Sequence, residues 1–367
     1  MKVECLKKDL EAAVDSTTRI VSNSATLPVL RCILFQVGEK TITLRATNLE
    51  ISIEKTITAD VKEKGIVAVP AQIFQATLKT SPQQSRVQLE VVDAALVLRI
   101  GGATTTIKTI PYDDFPTIPK PETKEVHIIP KESLVKGIRS VLYSASTSLI
   151  KPELASVYMY HEDNHLVFVA TDSFRLAEKK IPYKTDEELP SVIMPAKNTT
   201  ELIRVLETHA NSSVEVLIDE NQYSVRGDGL YVTSRIIDGS FPDYKSILPK
   251  EKSTEVVVLK EDILNTLKKA QIFSDTFGQI TLHVYPEKKT FTVSARNNDV
   301  GELFDSLEAA LTGEELDISF NYRYLSDVFQ SISSDSVVLA FAGFGKPLIV
   351  RGVNDHSFTY LVMPMNK

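Results

Sequence analysis

The chain has 367 residues, of which 43% are apolar and 24% charged, and its formal net charge is −7. These values are typical of a soluble globular protein with two or three domains, and they argue against a simple basic nucleic-acid-binding protein. Residues 1–10 already carry five charged side chains, which argues against a signal peptide, and no apolar run approaches the roughly 20 residues of a membrane-spanning helix. Cys5 and Cys32 form no C-x-x-C motif. We therefore expect a reduced, cytoplasmic protein with two buried cysteines.

The first third of the chain predicts a β-rich fold with two helices. Apolar side chains recur near helical spacing over residues 6–21, and a second helix is expected over residues 71–79, directly after Pro70. A stretch rich in Pro and Lys at residues 119–124 is typical of a linker. β-branched content and alternation predict strands at residues 1–5, 33–37, 41–46, 51–59, 87–92, 95–100 and 104–110.

The same order of elements returns twice more. The second third predicts helices at residues 131–145 and 197–207, and the last third predicts helices at residues 260–273 and 322–332. The predicted strands lie at residues 126–129, 157–161, 166–170, 175–181, 214–218, 222–226, 231–236, 254–259, 281–285, 290–295, 337–341, 348–351 and 359–363.

Short motifs repeat at nearly constant spacing. Residues 44–50, 169–177 and 293–298 share a strand end followed by a polar turn, and their alanines Ala46, Ala170 and Ala295 are 124 and 125 residues apart. We therefore predict an α+β protein made of three tandem copies of one β-rich domain with two helices each. The predicted domains cover residues 1–121, 122–249 and 250–367.

No catalytic or metal-binding motif stands out. The chain has no G-x-S-x-G, Walker A, G-x-G-x-x-G or H-E-x-x-H sequence. Asp113 and Asp114 can be interpreted as paired carboxylates, but a turn between prolines explains them better. Residues 227–229, Gly-Asp-Gly, indicate a hairpin turn more than a phosphate loop. Six histidines lack metal-ligand spacing and are expected mostly at polar surfaces: His127, His161, His165, His209, His283 and His356.

The predicted helices are less acidic than the rest of the chain. Their formal charges sum to +4, whereas the whole chain carries −7. Charged residues on a helix usually mark only its solvent-exposed face. If all six helices faced one side, however, that side would tolerate a polyanion, and contacts would reach phosphates without reading sequence.

Four motifs in combination resemble the bacterial sliding clamp family, the β subunit of DNA polymerase III. They are residues 26–30 (TLPVL), 170–177 (ATDSFRLA), 233–249 (TSRIIDGSFPDYKSILP) and 362–365 (VMPM), and the resemblance covers the whole chain. It implies a head-to-tail homodimeric ring whose helices line a hole around duplex DNA. It also implies no catalysis and no cofactor, and partners that include the replicative polymerase, the clamp loader and other proteins with clamp-binding motifs.

The resemblance further implies a pocket for partner peptides between the second and third domains. An adaptable apolar cleft with flexible Met side chains suits a short motif with a Leu or Phe anchor, although Met363 and Met365 can also be interpreted as ordinary core. The matching positions are Leu154, Thr171, Ser173, Phe174, Arg175, Leu176, Pro242, Ser246, Ile247, Pro347, Leu361, Met363, Pro364 and Met365.

The chain departs from the family pattern around this pocket. Ser173-Phe174 stands where the family commonly has Gly-His, Ser246 replaces a residue that is often basic, and the chain ends in Asn366-Lys367 in place of Arg-Leu. These differences imply an altered partner preference. Ser24 also stands where a basic residue often precedes the Thr-Leu-Pro motif, so a DNA contact is expected to be missing there.

DNA contacts and a subunit interface are implied as well. The interface positions are Ile272 and Phe273 of the third domain against Phe74 and Ile107 of the first, although these side chains can equally be interior. The DNA-contacting positions are Lys197, Arg204, Lys79, Arg139 and Arg19.

Two other functional hypotheses stay open at this stage. One is an adaptor on the clamp scaffold that binds peptides without encircling DNA, and the more distant one is a hydrolase or transferase. Dimerisation separates the clamp from the adaptor, and a cleft with convergent titratable groups would favour the enzyme.

Overall fold

A computed structural model describes residues 1–22, 27–80, 86–185, 187–249 and 251–365. Ser24, Thr26 of the TLPVL motif and the final Asn366-Lys367 lie outside the described residues. The chain forms two compact units, Met1–Val135 with Lys197–Asp238, and Lys136–Ala196 with Gly239–Lys367.

The first unit contains two antiparallel sheets. The five-stranded sheet has the order β5 (Asp60–Glu63), β1 (Lys2–Leu6), β7 (Arg86–Val92), β8 (Ala95–Ile100) and β9 (Ala103–Lys108). The eight-stranded sheet has the order β10 (His127–Pro130), β15 (Ser213–Ile218), β16 (Gln222–Gly227), β17 (Leu230–Arg235), β4 (Ile51–Thr58), β3 (Thr41–Thr47), β2 (Cys32–Val37) and β6 (Gly65–Pro70).

The second unit is built in the same way. Its nine-stranded sheet has the order β14 (Val192–Pro195), β11 (Ser156–Glu162), β12 (His165–Thr171), β13 (Arg175–Pro182), β26 (Phe358–Val362), β25 (Leu348–Gly352), β24 (Ser336–Phe341), β18 (Thr254–Leu259) and β22 (Ala309–Gly313). Its four-stranded sheet has the order β21 (Gly301–Leu307), β20 (Thr290–Asn297), β19 (Gln279–Tyr285) and β23 (Leu316–Asn321).

Six α-helices lie among the described residues: α1 (Lys7–Thr18), α2 (Ala71–Lys79), α3 (Lys131–Val141), α4 (Ala196–Thr208), α5 (Lys260–Phe273) and α6 (Tyr322–Asp327). The predicted helices over residues 71–79 and 260–273 agree with α2 and α5. The predictions over residues 131–145 and 322–332 are too long, because both helices tighten into 3-10 turns at Leu142–Ser144 and Val328–Ser331.

Two strand pairings explain why there are two compact units and not three. Strand β4 pairs with β17 in the first unit, and β13 pairs with β26 in the second. Each pairing joins strands from two of the three predicted domains into one continuous sheet. The compact units therefore do not follow the predicted borders.

The core of the first unit corrects one sequence-based expectation. Phe74 of α2 is 0% exposed, and its ring meets the edge of Phe35 at a centroid distance of 5.0 Å. Ile107 of β9 is also buried, in the same apolar cluster. Both side chains, proposed for a subunit interface, thus belong to the interior, where truncation of a Phe to Ala costs about 3–5 kcal/mol.

Other expectations from the sequence are settled by burial. Cys5 and Cys32 are both buried free thiols, as predicted, and burial raises the pKa of Cys5 to about 12. His127 and His209 are buried, which differs from the surface placement expected for most histidines.

The Gly-Asp-Gly sequence forms the β16–β17 hairpin, with Gly229 at φ +64°. None of the described helices has the length and apolar character needed to cross a membrane.

A pH-dependent contribution to stability arises at the surface of the five-stranded sheet. Glu90 accepts hydrogen bonds from Lys2 at 2.9 Å and from Arg99 at 2.6 Å, and these bonds lower its pKa from 4.5 to about 2. The contribution is present above pH 4.5 and is lost as the pH falls towards 2. We expect Glu90→Gln to flatten the pH dependence of the urea midpoint in that window. The exposed Glu125→Gln serves as control, and an unchanged slope in Glu90→Gln would contradict the expectation.

A candidate peptide-binding site in the second compact unit

The turn between β12 and β13 is organised by the side chain of Asp172. Its Oδ1 accepts the backbone N–H groups of Phe174 and Arg175, each at 3.0 Å. The Thr171 hydroxyl donates to the Arg175 carbonyl at 2.7 Å and accepts the Ser173 N–H at 3.2 Å. Asp and Thr side chains that bond their own turn in this way fix its conformation.

The predicted counterpart in the first unit has the same geometry. Asn48 Oδ1 accepts the N–H groups of Glu50 and Ile51 at 3.0 and 2.9 Å, and Thr47 Oγ1 accepts the Leu49 N–H at 3.0 Å. Leu49 and Ser173 also share φ +78°. The third predicted copy differs, because the one N–H that Asn297 Oδ1 accepts from a described residue is that of Asp299, at 2.9 Å. Two of the three sequence copies therefore form a turn of the same geometry.

The left-handed conformation of Ser173 yields a stability prediction. A non-glycine residue in the left-handed region has a steric cost of about 1–2 kcal/mol, which glycine does not have. Glycine, however, makes the unfolded chain more flexible, and this destabilises the folded state by about 0.5–1 kcal/mol. We expect Ser173→Gly to raise the free energy of unfolding by up to about 1 kcal/mol, and Ser173→Val to lower it, in urea titrations. Leu49→Gly is the matched change in the first unit. A destabilised Ser173→Gly would refute this account of the turn.

Strand pairing places the C-terminal segment beside the Asp172 turn. In the β13–β26 ladder Leu176 lies opposite Leu361, and the Met363 N–H donates to the Phe174 carbonyl at 2.8 Å. This contact joins residues that are far apart in sequence. The Ser173-Phe174 departure from the family pattern and the VMPM motif thus meet at one end of the sheet.

An apolar cluster lies next to this junction, formed by the sheet and the segment that contains the 3-10 turn Tyr244–Ile247. Tyr158 stacks on Phe241 with ring centroids 4.9 Å apart. The buried members are Val167, Val169, Leu176, Tyr244 and Leu361. The partly buried members packed against them are Tyr158, Tyr160, Phe241, Leu248, Ile349 and Met363. A floor of buried aliphatic side chains with a half-buried Met at its border suits an apolar ligand.

A hydrogen-bonded network holds the Tyr244 segment on the sheet. The Tyr244 hydroxyl donates to Glu178 Oε2 at 2.5 Å and lies 2.7 Å from the Tyr160 hydroxyl. Burial, followed by the bond to the Glu178 carboxylate, raises the pKa of Tyr244, so the phenol stays protonated. Glu178 is itself buried and would lose its donor if Tyr244 moved.

Arg175 anchors the other side of the turn. Its Nε donates to Asp172 Oδ2 at 3.0 Å and its Nη1 to Asp327 Oδ2 at 2.5 Å. The guanidinium also lies 4.6 Å from the ring centroid of Tyr324. Phe174 is 60% exposed and its ring stacks near Tyr324 at 6.5 Å. The turn therefore presents an exposed aromatic side chain on a rigid base.

The last described residues line a separate cavity. Its volume is about 420 Å³, and the Met365 N–H donates to the Ser319 carbonyl at 2.8 Å beside it. The lining residues include Gln279, His283, Asp317, Phe344, Pro364 and Met365. Met363 and Met365, which the sequence places in one cleft, thus differ in surroundings, since Met363 packs against the apolar cluster and Met365 lines this cavity.

The predicted site residues differ in accessibility. Ser173, Phe174, Pro242, Ser246 and Ile247 are exposed. Arg175, Pro347, Met363, Pro364 and Met365 are partly buried. Thr171, Leu176 and Leu361 are buried and support the surface from beneath. Leu154 is also buried, but it is not a member of the apolar cluster. Its carbonyl accepts the Ser146 N–H, and its own N–H donates to the Lys151 carbonyl.

Several residues of this region were missed in the sequence. Phe241 and Tyr244 lie within the quoted FPDY motif, although only Pro242 was selected from it. Tyr324 and Asp327 fix the turn from α6, and no local sequence pattern connects them to it.

One cluster in this unit has the composition of a hydrolase triad. His283 Nδ1 lies 2.6 Å from Asp317 Oδ1, and His283 Nε2 lies 2.8 Å from Ser294 Oγ. The three residues sit on adjacent strands β19, β20 and β23, and β20 is paired on both sides. Its backbone N–H groups are therefore engaged in the ladder and do not form an oxyanion hole.

Comparison with known proteins decides the family. Sequence models of the N-terminal, central and C-terminal domains of the DNA polymerase III beta subunit match residues 1–119, 128–243 and 245–366. The chain belongs to the DNA polymerase III beta subunit family. It is a DNA sliding clamp, a non-catalytic processivity factor, and its fold is that of three tandem clamp domains, as the sequence predicted.

Relatives and solved structures agree with this assignment. The beta sliding clamps of Synechococcus elongatus and Bacillus subtilis are 27% and 26% identical, and each alignment covers 100% of this chain and 99% of the relative. A crystal structure of the Bacillus subtilis sliding clamp is 26% identical with a TM-score of 0.94, covering 100% and 99% of the two chains. The beta subunit from Thermotoga maritima is 24% identical, has the same TM-score and coverage, and supports the fold.

The expected DNA-contacting residues of this clamp are all exposed: Arg19, Lys79, Arg139, Lys197 and Arg204. Two of them already have acidic neighbours, since Lys79 pairs with Asp15 at 3.1 Å and Arg204 pairs with Glu201 at 2.6 Å. These pairs reduce the positive field of their helices.

At the expected subunit interface the clamp exposes Ile272, at 64%, while Phe273 is partly buried. Nearby, β21 forms an edge of its sheet and exposes Phe304 at 67%. In the first unit, α2 exposes Ile73 at 57%, next to the buried Phe74. Exposed apolar side chains beside unpaired sheet edges are typical of protein interfaces.

Proposed function

We propose that two copies of this sliding clamp close head to tail into a ring around duplex DNA, and that the Asp172 turn with the C-terminal segment binds a short peptide of the replicative polymerase. The observation that supports the peptide site is the β13–β26 pairing, which brings Phe174 and Met363 together beside an apolar cluster. The clamp loader and other proteins with a similar motif are proposed to use the same surface.

The pocket chemistry favours an apolar anchor. A Leu or Phe side chain can cover the partly buried Met363 and the exposed Phe174, and flexible Met side chains adapt to different anchors. A Pseudomonas aeruginosa relative has been solved bound to griselimycin, which supports the proposal that clamps of this fold offer a ligand site. We place Ser246 and Ile247, both exposed, at the polar border of the pocket.

We propose that Arg19, Lys79, Arg139, Lys197 and Arg204 face the DNA phosphates. A closed ring does not dissociate sideways, so weak, salt-sensitive contacts are sufficient and still allow sliding. The ion pairs of Lys79 and Arg204 suit this requirement, because they limit the attraction. A polymerase tethered to the ring rebinds the primer end at high effective concentration.

For the subunit interface we propose the surface of α5 and β21 on one chain and of α2 and β9 on the other. Both β9 and β21 are edge strands, and pairing them would satisfy their free backbone groups. Ile272, Phe273 and Phe304 supply apolar surface on one side, and Ile73 on the other. Phe74 and Ile107 support this face from the interior.

The remaining proposals concern organisation and setting. We propose that the three structural repeats have the borders 1–121, 122–249 and 250–367, and that the protein works in the bacterial cytoplasm. Two buried thiols are compatible with a reducing compartment.

Retention on circular DNA tests the function. After loading onto nicked circular DNA by the cognate clamp loader, the protein is expected to stay bound at high salt and to be released when the circle is cut. Loss from the intact circle at the same salt concentration would exclude a closed ring. A monomer that still binds polymerase peptide would favour the adaptor hypothesis.

A further inference from the structure

The first unit contains a second copy of the architecture that forms the candidate peptide site. The Arg235 N–H donates to the Glu50 carbonyl at 2.9 Å, as the Met363 N–H does to Phe174 at 2.8 Å. In the β4–β17 ladder Thr233 lies opposite Ser52, in the register that Leu361 and Leu176 have in β13–β26. The two junctions therefore correspond residue by residue.

The floor of this second junction is polar where the first is apolar. Ser52 and Thr233 take the places of Leu176 and Leu361, and both are buried. Ser224, opposite Thr233, takes the place of Ile349, which lies opposite Leu361. Two hydrogen-bonded pairs of hydroxyl groups replace the aliphatic cluster. The hydroxyl oxygens of Thr47 and Ser52 lie 2.7 Å apart, and those of Ser224 and Thr233 lie 3.1 Å apart.

The border of the junction is charged. Arg235 stands at the position of Met363 and Glu50 at that of Phe174, and both are exposed. The Arg235 guanidinium forms no ion pair with any residue in the described ranges. Leu49, 47% exposed, keeps one apolar side chain at the tip of the turn.

A groove follows this junction. A depression of about 250 Å³ is lined by Leu49, Glu50, Ser52, Pro116, Thr233 and Arg235, among others. A second depression of about 760 Å³ shares Pro119, Gln222 and Arg235 with it. The two depressions thus form one groove on the surface of the first unit.

Carboxylates dominate the larger part of the groove. Glu122, Asp219, Glu220 and Asp238 line it, together with Lys120 and Arg235. Lys120 is already engaged, because its Nζ lies 2.9 Å from Glu54 and 3.4 Å from the Tyr231 ring centroid. Glu122, Glu220 and Asp238 form no ion pair with other described residues. The groove therefore has unbalanced negative charge beside a hydroxyl-lined floor.

We propose that this groove is a second docking site for a partner protein, and that it takes an extended, polar segment carrying Lys or Arg. The inference rests on the proposed function, because the apolar junction serves as the template for peptide binding. Hydroxyl and amide groups of the segment would meet the floor formed by Ser52, Gln222 and Thr233, and its cations would meet Glu220 and Asp238. A Leu–Phe motif is disfavoured there, because its apolar side chains would desolvate the exposed charges of Glu220, Asp238 and Arg235 without pairing them.

Binding of two labelled hexapeptides to the full-length dimer tests the proposal. One peptide alternates Ser and Lys, and the other ends in Leu-Phe. We expect the double variant Glu220→Lys with Asp238→Lys to weaken binding of the Ser–Lys peptide at least about tenfold and to leave the Leu-Phe peptide unaffected. The matched control, Asp60→Lys with Asp113→Lys, changes the net charge equally at exposed positions outside the groove, and is expected to weaken the Ser–Lys peptide less than about twofold.

Photo-crosslinking locates the bound peptide. With p-benzoylphenylalanine in place of Leu49, the Ser–Lys peptide is expected to crosslink, whereas the same change at the exposed Val92 is expected to give no product. Absence of Ser–Lys binding, equal weakening by both double variants, or displacement by the Leu-Phe peptide would each overturn the second site. Failure of the Leu-Phe peptide alone to bind would instead count against the proposed function.

Discussion

Replacing Ile272 and Phe304 by aspartate is expected to convert the sliding clamp from dimer to monomer. The two side chains are 64% and 67% exposed on α5 and the edge strand β21, so they are available to a second chain. Burying a large apolar side chain contributes about 1.5–3 kcal/mol, and the aspartates would in addition need desolvation. A loss of about 3 kcal/mol at one interface raises its dissociation constant roughly a hundredfold, and a ring has two such interfaces.

Sedimentation equilibrium at micromolar concentration provides the measurement. The unaltered protein is expected at twice the mass of the 40.8 kDa chain, and the double variant near that mass itself. Phe344→Asp is the matched control, because Phe344 is 77% exposed but lines the cavity beside Met365. A dimeric double variant, or a monomeric Phe344→Asp variant, would place the interface elsewhere.

Sequence patterns predicted those helices and strands whose conformation is determined by neighbouring residues in the chain. Helix α2 was predicted from the Pro70 that precedes it, and α5 was predicted with the bounds that the structure has. Strands β8 and β18 alternate between buried and accessible positions, as expected for strands with one face in the core. Strands β5, β6, β14, β21, β22 and β23 were not predicted from the sequence. Strand β21, with the sequence GELFDSL, has no buried position, so its conformation depends on pairing with β20 and leaves no periodic signal.

The candidate site was accessible only in part from the sequence. The Asp172 turn is local, and its repeat at Asn48 was recognised from spacing. The pairing of Leu176 with Leu361 is not local, and only the family resemblance connected the two segments. The same limit explains why Phe74 was assigned to an interface. The sequence of helix α2 does not show that Ile73 is exposed and that the neighbouring Phe74 is buried.

Deleting Met363–Lys367 is expected to abolish binding of the Leu-Phe peptide. The deletion removes Met363 from the edge of the apolar cluster, and with it the N–H that bonds the Phe174 carbonyl at 2.8 Å. Phe174 then loses the neighbour that completes the cleft. Loss of one anchoring pocket costs at least about 2 kcal/mol, so affinity should fall thirtyfold or more in a fluorescence titration.

The controls separate binding from folding and assembly. Removing only Asn366 and Lys367 keeps every described contact of the segment, and peptide affinity is expected to change little. The longer deletion leaves α5 and β21 intact, so its mass in sedimentation should stay that of the dimer. Peptide binding that survives loss of Met363, Pro364 and Met365 would show that the Asp172 turn and the C-terminal segment are not the docking site, whatever the state of the ring.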